Sequence, residues 1–220
     1  MSDVPPPPPP PPPSYGGPPS GPDVGAALSY GFNKYFANIG PVLAVIFIPV
    51  VAQILLIAIG QFVIKGFFAI AVFQLLSWIV GAIAALGIYN VTLQITAGQT
   101  PDIGKAFTTD RWVEWFVFSL VFGIMVGIGF ILCVIPGLFV LAFFGMAPFF
   151  FLERGMGLGD ALTASREAAS SGYAIPVILA IIVGIAGVIL CGIGALITAP
   201  AAYIAVAYLY RGATNQVPAP

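Results

Sequence analysis

Four long stretches of this chain carry no charge: residues 35–64, 66–101, 115–152 and 168–210. A helix needs about 20 apolar residues to cross a hydrocarbon core about 30 Å thick. The first two stretches each fit one crossing, and the last two, at 38 and 43 residues, each fit two. Turn signals lie near the middles of the longer pair, at Pro136-Gly137 and at Gly192-Ile193-Gly194. The pattern predicts an all-α membrane protein of about six transmembrane helices, at roughly 41–63, 67–95, 112–134, 137–152, 174–192 and 195–210. The fourth and sixth are short, so four or five spans with a re-entrant half is the alternative. With 60% hydrophobic and only 7% charged residues, against about 25% charged in soluble domains, an ordinary soluble enzyme is excluded.

The placement of the few charges predicts orientation. Lys34, Lys105, Arg111, Arg154, Arg166 and Arg211 fall on the side shared by both termini, and only Lys65 on the other. Cytoplasmic loops carry the excess of Lys and Arg, which puts both termini in the cytoplasm. The remaining outer turns, near 64–66, 135–137 and 192–194, leave no room for an outer domain. The first span is too long for a signal h-region and follows a proline tail rather than a basic segment, so no cleaved signal is expected.

The chain repeats itself. Pro22-Asp23-Val24-Gly25-Ala26-Ala27-Leu28-Ser29 matches Pro101-Asp102-Ile103-Gly104-Lys105-Ala106-Phe107-Thr108, and Gly159-Asp160-Ala161-Leu162-Thr163 is a weaker third copy. Val24, Ala27, Leu28, Gly31, Phe32, Tyr35 and Phe36 recur at helical spacing and predict one apolar stripe. Leu158, Ala161, Leu162, Ser165, Ala168 and Ala169 predict another. Asp23 and Asp102 are natural N-caps. Such helices are expected to lie in the cytoplasmic interface with the stripe toward lipid. The units run over about 23–98, 101–153 and 157–212, each an interfacial helix followed by a hairpin. Residues 1–22 form a proline- and glycine-rich tail and 213–220 a short C-terminal one. Internal repeats are a building plan of transporters and of plain membrane scaffolds alike.

Several of these features occur together in one family. They are the Gly-x-Ala-(Leu/Phe)-(Ser/Thr) openings, Pro136-Gly137, the segment from Ala147-Pro148-Phe149 through Glu153-Arg154-Gly155 to Asp160-Ala161-Leu162, and the ending Ala207-Tyr208-Leu209-Tyr210-Arg211. Together they resemble bacterial membrane proteins similar to the membrane domain of glycerophosphoryl diester phosphodiesterase. The tail resembles the proline- and glycine-rich transmembrane proteins of actinobacteria. The resemblance covers about residues 23–212 and implies the fold. Members with phosphodiesterase activity carry a separate soluble catalytic domain, which this chain lacks, so it implies no catalytic residue.

Nine consecutive prolines, Pro5 to Pro13, precede Tyr15. They predict a polyproline II rod of about 28 Å. It reads either as a disordered cytoplasmic tail or as a docking peptide anchored by Pro5, Pro9, Pro13 and Tyr15 for an aromatic-lined groove on another protein.

No charge falls deep in a span, which argues against ion pumps and charge-lined channels. Gln53 and Gln74 are placed at similar depth and could bond across the first hairpin, while Asn90 and Gln94 share one helix face. They read as interhelical glue or as a polar path. Gly123-x-x-x-Gly127 and Gly81-x-x-x-Ala85 are expected to serve internal packing. Trp112, Trp115, Tyr30, Tyr35, Tyr173 and Tyr210 are expected in an interfacial belt, with Trp78 deeper, against lipid or a neighbouring helix. Cys133 and Cys191 fall beside predicted outer turns and read as two buried small hydrophobes or as a disulfide. Asp110-Arg111-x-x-Glu114, Glu153-Arg154 and Arg166-Glu167 are expected to pair locally or to meet lipid headgroups.

Histidine is absent, and no nucleotide loop, triad or metal motif is found, so no catalytic residue, cofactor or metal site is predicted. Membrane lipids are the expected surroundings, other membrane or cytoplasmic proteins the expected partners of the tail, and nucleic acid is not expected. The leading expectation is a non-enzymatic scaffold or accessory subunit in a bacterial cytoplasmic membrane. The alternative is a transporter or lipid-handling protein for an apolar or zwitterionic molecule. A hydrated cavity lined by Gln53, Gln74, Asn90 and Gln94 would favour the second, a dry core the first.

Overall fold

Proline positions set much of the helix pattern. Pro41, Pro136 and Pro176 are each the third residue of a helix, where the backbone N–H has no intrahelical partner to lose. The computed structural model describes residues 22–63, 66–189 and 194–220. These are helical apart from short connections: α1 (Val24–Ala37), α2 (Ile39–Val63), α3 (Phe67–Thr96), α4 (Ile103–Ala106), α5 (Trp112–Leu132), α6 (Val134–Phe144), α7 (Ala147–Arg154), α8 (Leu158–Ala168), α9 (Ala174–Ile189) and α10 (Ala195–Ala213). A π-helical stretch, Ala169–Tyr173, joins α8 to α9. It breaks at Gly172, whose φ of 104° favours glycine.

Five segments are long and apolar enough to cross a membrane: Ile39–Gly60, Phe68–Thr96, Trp112–Leu132, Val134–Arg154 and Leu158–Gly187. Their outer faces are apolar and open. Ile54, Leu55 and Ile59 on α2, Phe68 and Leu75 on α3, and Val117, Ile124 and Ile131 on α5 are all exposed. Water would not tolerate so continuous an apolar surface; lipid does. The chain is therefore an all-α polytopic membrane protein. Helix α10 is the exception that completes the bundle. It carries Thr198, three tyrosines and Arg211, yet nearly all of Pro200–Arg211 is buried. A helix shielded by other helices need not be as apolar as one facing lipid.

The predicted hairpins are present as the pairs α2–α3, α5–α6 and α9–α10, and α3 packs on both α7 and α10. The tip of the third pair, at residues 190–193, lies outside the described residues, as do Lys65 and the proline tail. The second hairpin turns at Cys133, whose backbone is extended (φ −179°, ψ 164°), and not at Pro136-Gly137. Pro136 and Gly137 sit instead in the first turn of α6, where Gly137 lets Gly129 and the Phe130 ring approach. The fourth span breaks at Gly145-Met146 and resumes as α7, with Pro148 as its second residue.

The capped helices form as expected. Asp23 accepts from the N–H groups of Gly25 and Ala26, and Asp102 from those of Gly104 and Lys105. The apolar stripes of α1 and of the uncapped α8, however, face protein over most of their length, Phe36 at the end of α1 being exposed. In α1 the buried residues are Ala27, Gly31 and Tyr35, and the helix lies against α10. A Cβ on Gly31 would come 2.3 Å from the Ala201 carbonyl oxygen, so only glycine permits this contact. In α8, Ala161 and Ser165 are buried, with the Ser165 hydroxyl donating to the Phe143 carbonyl (2.9 Å). Small residues in the stripe allow helix-to-helix contact that bulkier ones would prevent.

The core is aromatic and lies where α7 meets α3, α5 and α10. Trp115 is buried and donates its ring N–H to the Ala82 carbonyl (2.9 Å). Tyr210 lies between Phe149 and Phe150, and Phe118 packs on Phe151 at 4.7 Å. Tyr35, Trp115 and Tyr210 are therefore core residues and not members of an interfacial belt; only Trp112 of that set is exposed. Trp78 packs on Phe116, a neighbouring helix as expected. Gly81, Gly123 and Gly127 have open space where a Cβ would stand, so these glycines make no close helix contact, whereas Ala85 of the second motif packs against the core as expected. Close packing uses Gly31, Gly129, Gly184 and Gly187 instead. Such a motif gives spacing but does not say which face of the helix is covered.

Candidate functional site

Polar side chains gather in two places. The first is the end of the bundle where α3, α7 and α10 meet. Arg211, in the last turn of α10, is 7% exposed. Its guanidinium pairs with the Glu153 carboxylate at 2.6 Å. It also donates to Thr96 Oγ1 and to the Leu93 carbonyl, both at 3.3 Å, and to Gln216 Oε1. An arginine has five N–H donors, and these contacts engage three of its nitrogens. Glu153 thus pairs with Arg211 across the bundle and not with its neighbour Arg154, which lies over the Phe150 ring. The local reading holds for Arg111 and Glu114, which pair three residues apart.

Asn90 and Gln94 belong to this end. The Asn90 amide donates to the carbonyls of Ala106 (2.9 Å) and Thr108 (3.3 Å), and Gln94 Oε1 accepts from the Asp102 N–H at 2.7 Å. Both therefore hold the α3–α5 linker against α3. The C-terminal segment folds over the same end: the Ala219 N–H donates to the Thr96 carbonyl (3.0 Å) and the Tyr30 hydroxyl to the Ala219 carbonyl (3.0 Å). Burial pushes the Tyr30 hydroxyl up to about 12, against the opposing pull of the Arg211 charge, so it stays a donor at neutral pH. A cavity of about 260 Å³ remains among Asn90, Gln94, Lys105, Glu153 and Arg211. Its polar groups are largely engaged, mostly with backbone, which suits a clamp better than a reaction centre.

The second place is an apolar groove of about 580 Å³ between α2, α3 and α10. Val45, Pro49, Ala84, Ile88 and Pro200 are among its walls. Its polar side chains are Gln53, Ser77 and Tyr203. Gln53 is thus opposite Ser77 and not Gln74, which is exposed on α3; no hydrogen bond joins the two glutamines among the described residues. Pro49 and Pro200 each leave the carbonyl four residues earlier without its helical donor. Those carbonyls belong to Val45 and Leu196, both lining residues.

The four intramembrane polar residues picked out in the sequence are therefore not one site: Asn90 and Gln94 act at the bundle end, Gln53 in the groove, Gln74 on the outer face. The Arg211–Glu153 pair, Thr96 and Tyr203 were missed. Arg211 and Glu153 stand 58 positions apart, and nothing in their local context marks them as partners. Cys133 is exposed at the α5–α6 turn rather than buried. Its suggested partner Cys191 lies outside the described residues, as do Pro5, Pro9, Pro13 and Tyr15. No family model, curated protein or solved structure matches the chain.

Proposed function

We propose that this chain is a non-enzymatic scaffold or accessory subunit of a bacterial cytoplasmic-membrane assembly, with both termini in the cytoplasm. The observation that carries it is how the polar groups are used. Asn90, Gln94 and Arg211 are engaged with backbone and with one internal ion pair, and hold helices and linkers to one another. That use, among the described residues, supports a holding role rather than a polar path. The orientation rests on six of the seven Lys and Arg residues belonging to one side, and the meeting of Lys105 and Arg211 at one cavity supports it. The proline tail supplies a docking segment for a partner. The likeness to the phosphodiesterase membrane domains enters as a likeness of architecture: leading helices followed by hairpins.

Purification in mild detergent after cross-linking tests this reading. A reproducible stoichiometric protein partner, lost when residues 2–21 are deleted, supports it; a chain that stays free of partners at native expression overturns it. The groove favours a second reading, a lipid-handling protein. Transfer of a lipid between vesicles, dependent on the protein, is its test.

A further inference from the structure

We propose that the cleft between α1 and the end of α3 is a docking site for an extended Pro-x-Pro peptide of a partner protein, and that residues 217–220 of this chain hold it closed by occupying it. The occupant is the first reason. The Ala219 N–H donates to the Thr96 carbonyl (3.0 Å), and the Ala219 carbonyl accepts from the Tyr30 hydroxyl (3.0 Å). The Lys34 ammonium donates to the Pro220 oxygen. Thr96 is the last residue of α3, so its carbonyl has no helical donor and takes one from outside the helix. All three bonds use the backbone of the bound segment. None uses a side chain that only this segment carries, so another peptide of the same course can make them.

The second reason is that the receptor groups sit on packed helices, while the occupant hangs from a turn. The Tyr30 ring lies 4.8 Å from the Tyr208 ring of α10. Thr96 is fixed by its hydroxyl, which donates to the Thr92 carbonyl and accepts from Arg211. The occupant follows Asn215, whose φ of 56° ends α10 in a left-handed turn closed by the Gln216 N–H on the Arg211 carbonyl (2.8 Å). Val217 is 56% exposed and Pro220 is exposed, so the segment buries no large side chain. Few buried apolar contacts and exposed backbone bonds mark a segment that opens locally at low cost. Residues 217–220 can then leave while α10 and the Arg211–Glu153 pair stay in place.

The third reason gives the partner's sequence. The middle residue must carry an N–H for the Thr96 carbonyl, so it is not proline. The Ala219 Cβ packs on Gly98, whose φ is 75°; even a Cβ added there would come within 2.8 Å of it, which favours a small middle residue. The proline after that residue holds it extended, and the one before it has its own φ fixed. The site therefore selects a proline, then alanine, serine or glycine, then a second proline. The proline run at residues 5–13 does not match, since it has no N–H to offer.

The inference rests on the accessory-subunit reading for its use, but the two fail separately. The cross-linked partner depends on residues 2–21; peptide binding depends on the cleft that residues 217–220 fill. The probe is the amidated peptide Gln-Val-Pro-Ala-Pro, added to the full chain in detergent. A bimane on Val217→Cys, with Cys133 and Cys191 replaced by alanine, follows displacement of the chain's own segment. The titration runs to millimolar peptide, because a tethered segment competes at millimolar effective concentration. A saturable change in emission is expected, and Gln-Val-Pro-Pro-Pro, which lacks the middle N–H, should need about tenfold more peptide. Adding Ala219→Pro weakens the tethered competitor, so half-saturation by the first peptide should fall by up to about tenfold. Circular dichroism identifies a variant that fails to fold, and the two peptides on the chain labelled at position 217 alone then decide. No saturable change in that chain overturns the proposal. So does equal displacement by the two peptides.

Discussion

Removing Arg211 or Glu153 alone should damage the bundle more than removing both in proportion. Arg211→Met leaves the Glu153 carboxylate without its cation and frees Thr96 Oγ1 and the Leu93 carbonyl of their donor. Glu153→Met leaves a guanidinium with a side chain only 9% exposed without its anion. Breaking a buried pair costs about 3–5 kcal/mol. The Glu153 side chain is 24% exposed, so each single change should fall at the lower end, about 3 kcal/mol. For a chain of this length that corresponds to a fall in Tm of about 6–12 °C. The double variant removes both charges and restores apolar packing, so it should lose far less than the sum, leaving a coupling of about 2 kcal/mol or more. Thermal unfolding in detergent, followed through the fluorescence of buried Trp115, measures all four proteins. If the two losses simply add, the charges do not act as a pair and the clamp is refuted.

Three further outcomes follow. Gly31→Leu should detach α1 from α10, because even a Cβ there meets the Ala201 oxygen at 2.3 Å; proteolysis of the 22–38 segment in detergent would rise, and unchanged protection would contradict the close contact. Tyr210→Phe should change stability by no more than about 1 kcal/mol, since the buried Tyr210 hydroxyl faces the Glu153 carboxylate without a well-formed hydrogen bond among the described residues; a larger fall in Tm would mean that it donates to that carboxylate. Gly123→Leu with Gly127→Leu should leave Tm within about 2 °C, as a Cβ at either position meets open space, and a large loss would show that these glycines do pack.

The charge-free stretches carried most of the fold. They located the helices to within a few residues, because the cost of burying charge in hydrocarbon leaves no other reading. The caps at Asp23 and Asp102 were equally legible, being local chemistry of one turn. Faces were less so. The stripe of α1 reads the same whether it meets lipid or α10, and only the fit of Gly31 on Ala201 decides. Trp115 looked like a belt residue because its place near a span end is shared by belt and core tryptophans alike. Pro136-Gly137 looked like a turn, but proline is equally at home in a first helical turn. The clamp and the groove were beyond reach, since Arg211 with Glu153, and α10 with the first hairpin, meet only through the packing of helices distant in the chain.

Side-specific labelling tests the central claim, a one-sided bundle of three hairpins, most directly. With Cys133 and Cys191 replaced by alanine, Lys65→Cys and Thr214→Cys are treated in intact cells with a membrane-impermeant maleimide. Labelling at position 65 in intact cells, and at position 214 only after permeabilisation, is the predicted result. Labelling of both positions from outside, or of position 214 alone, would contradict it.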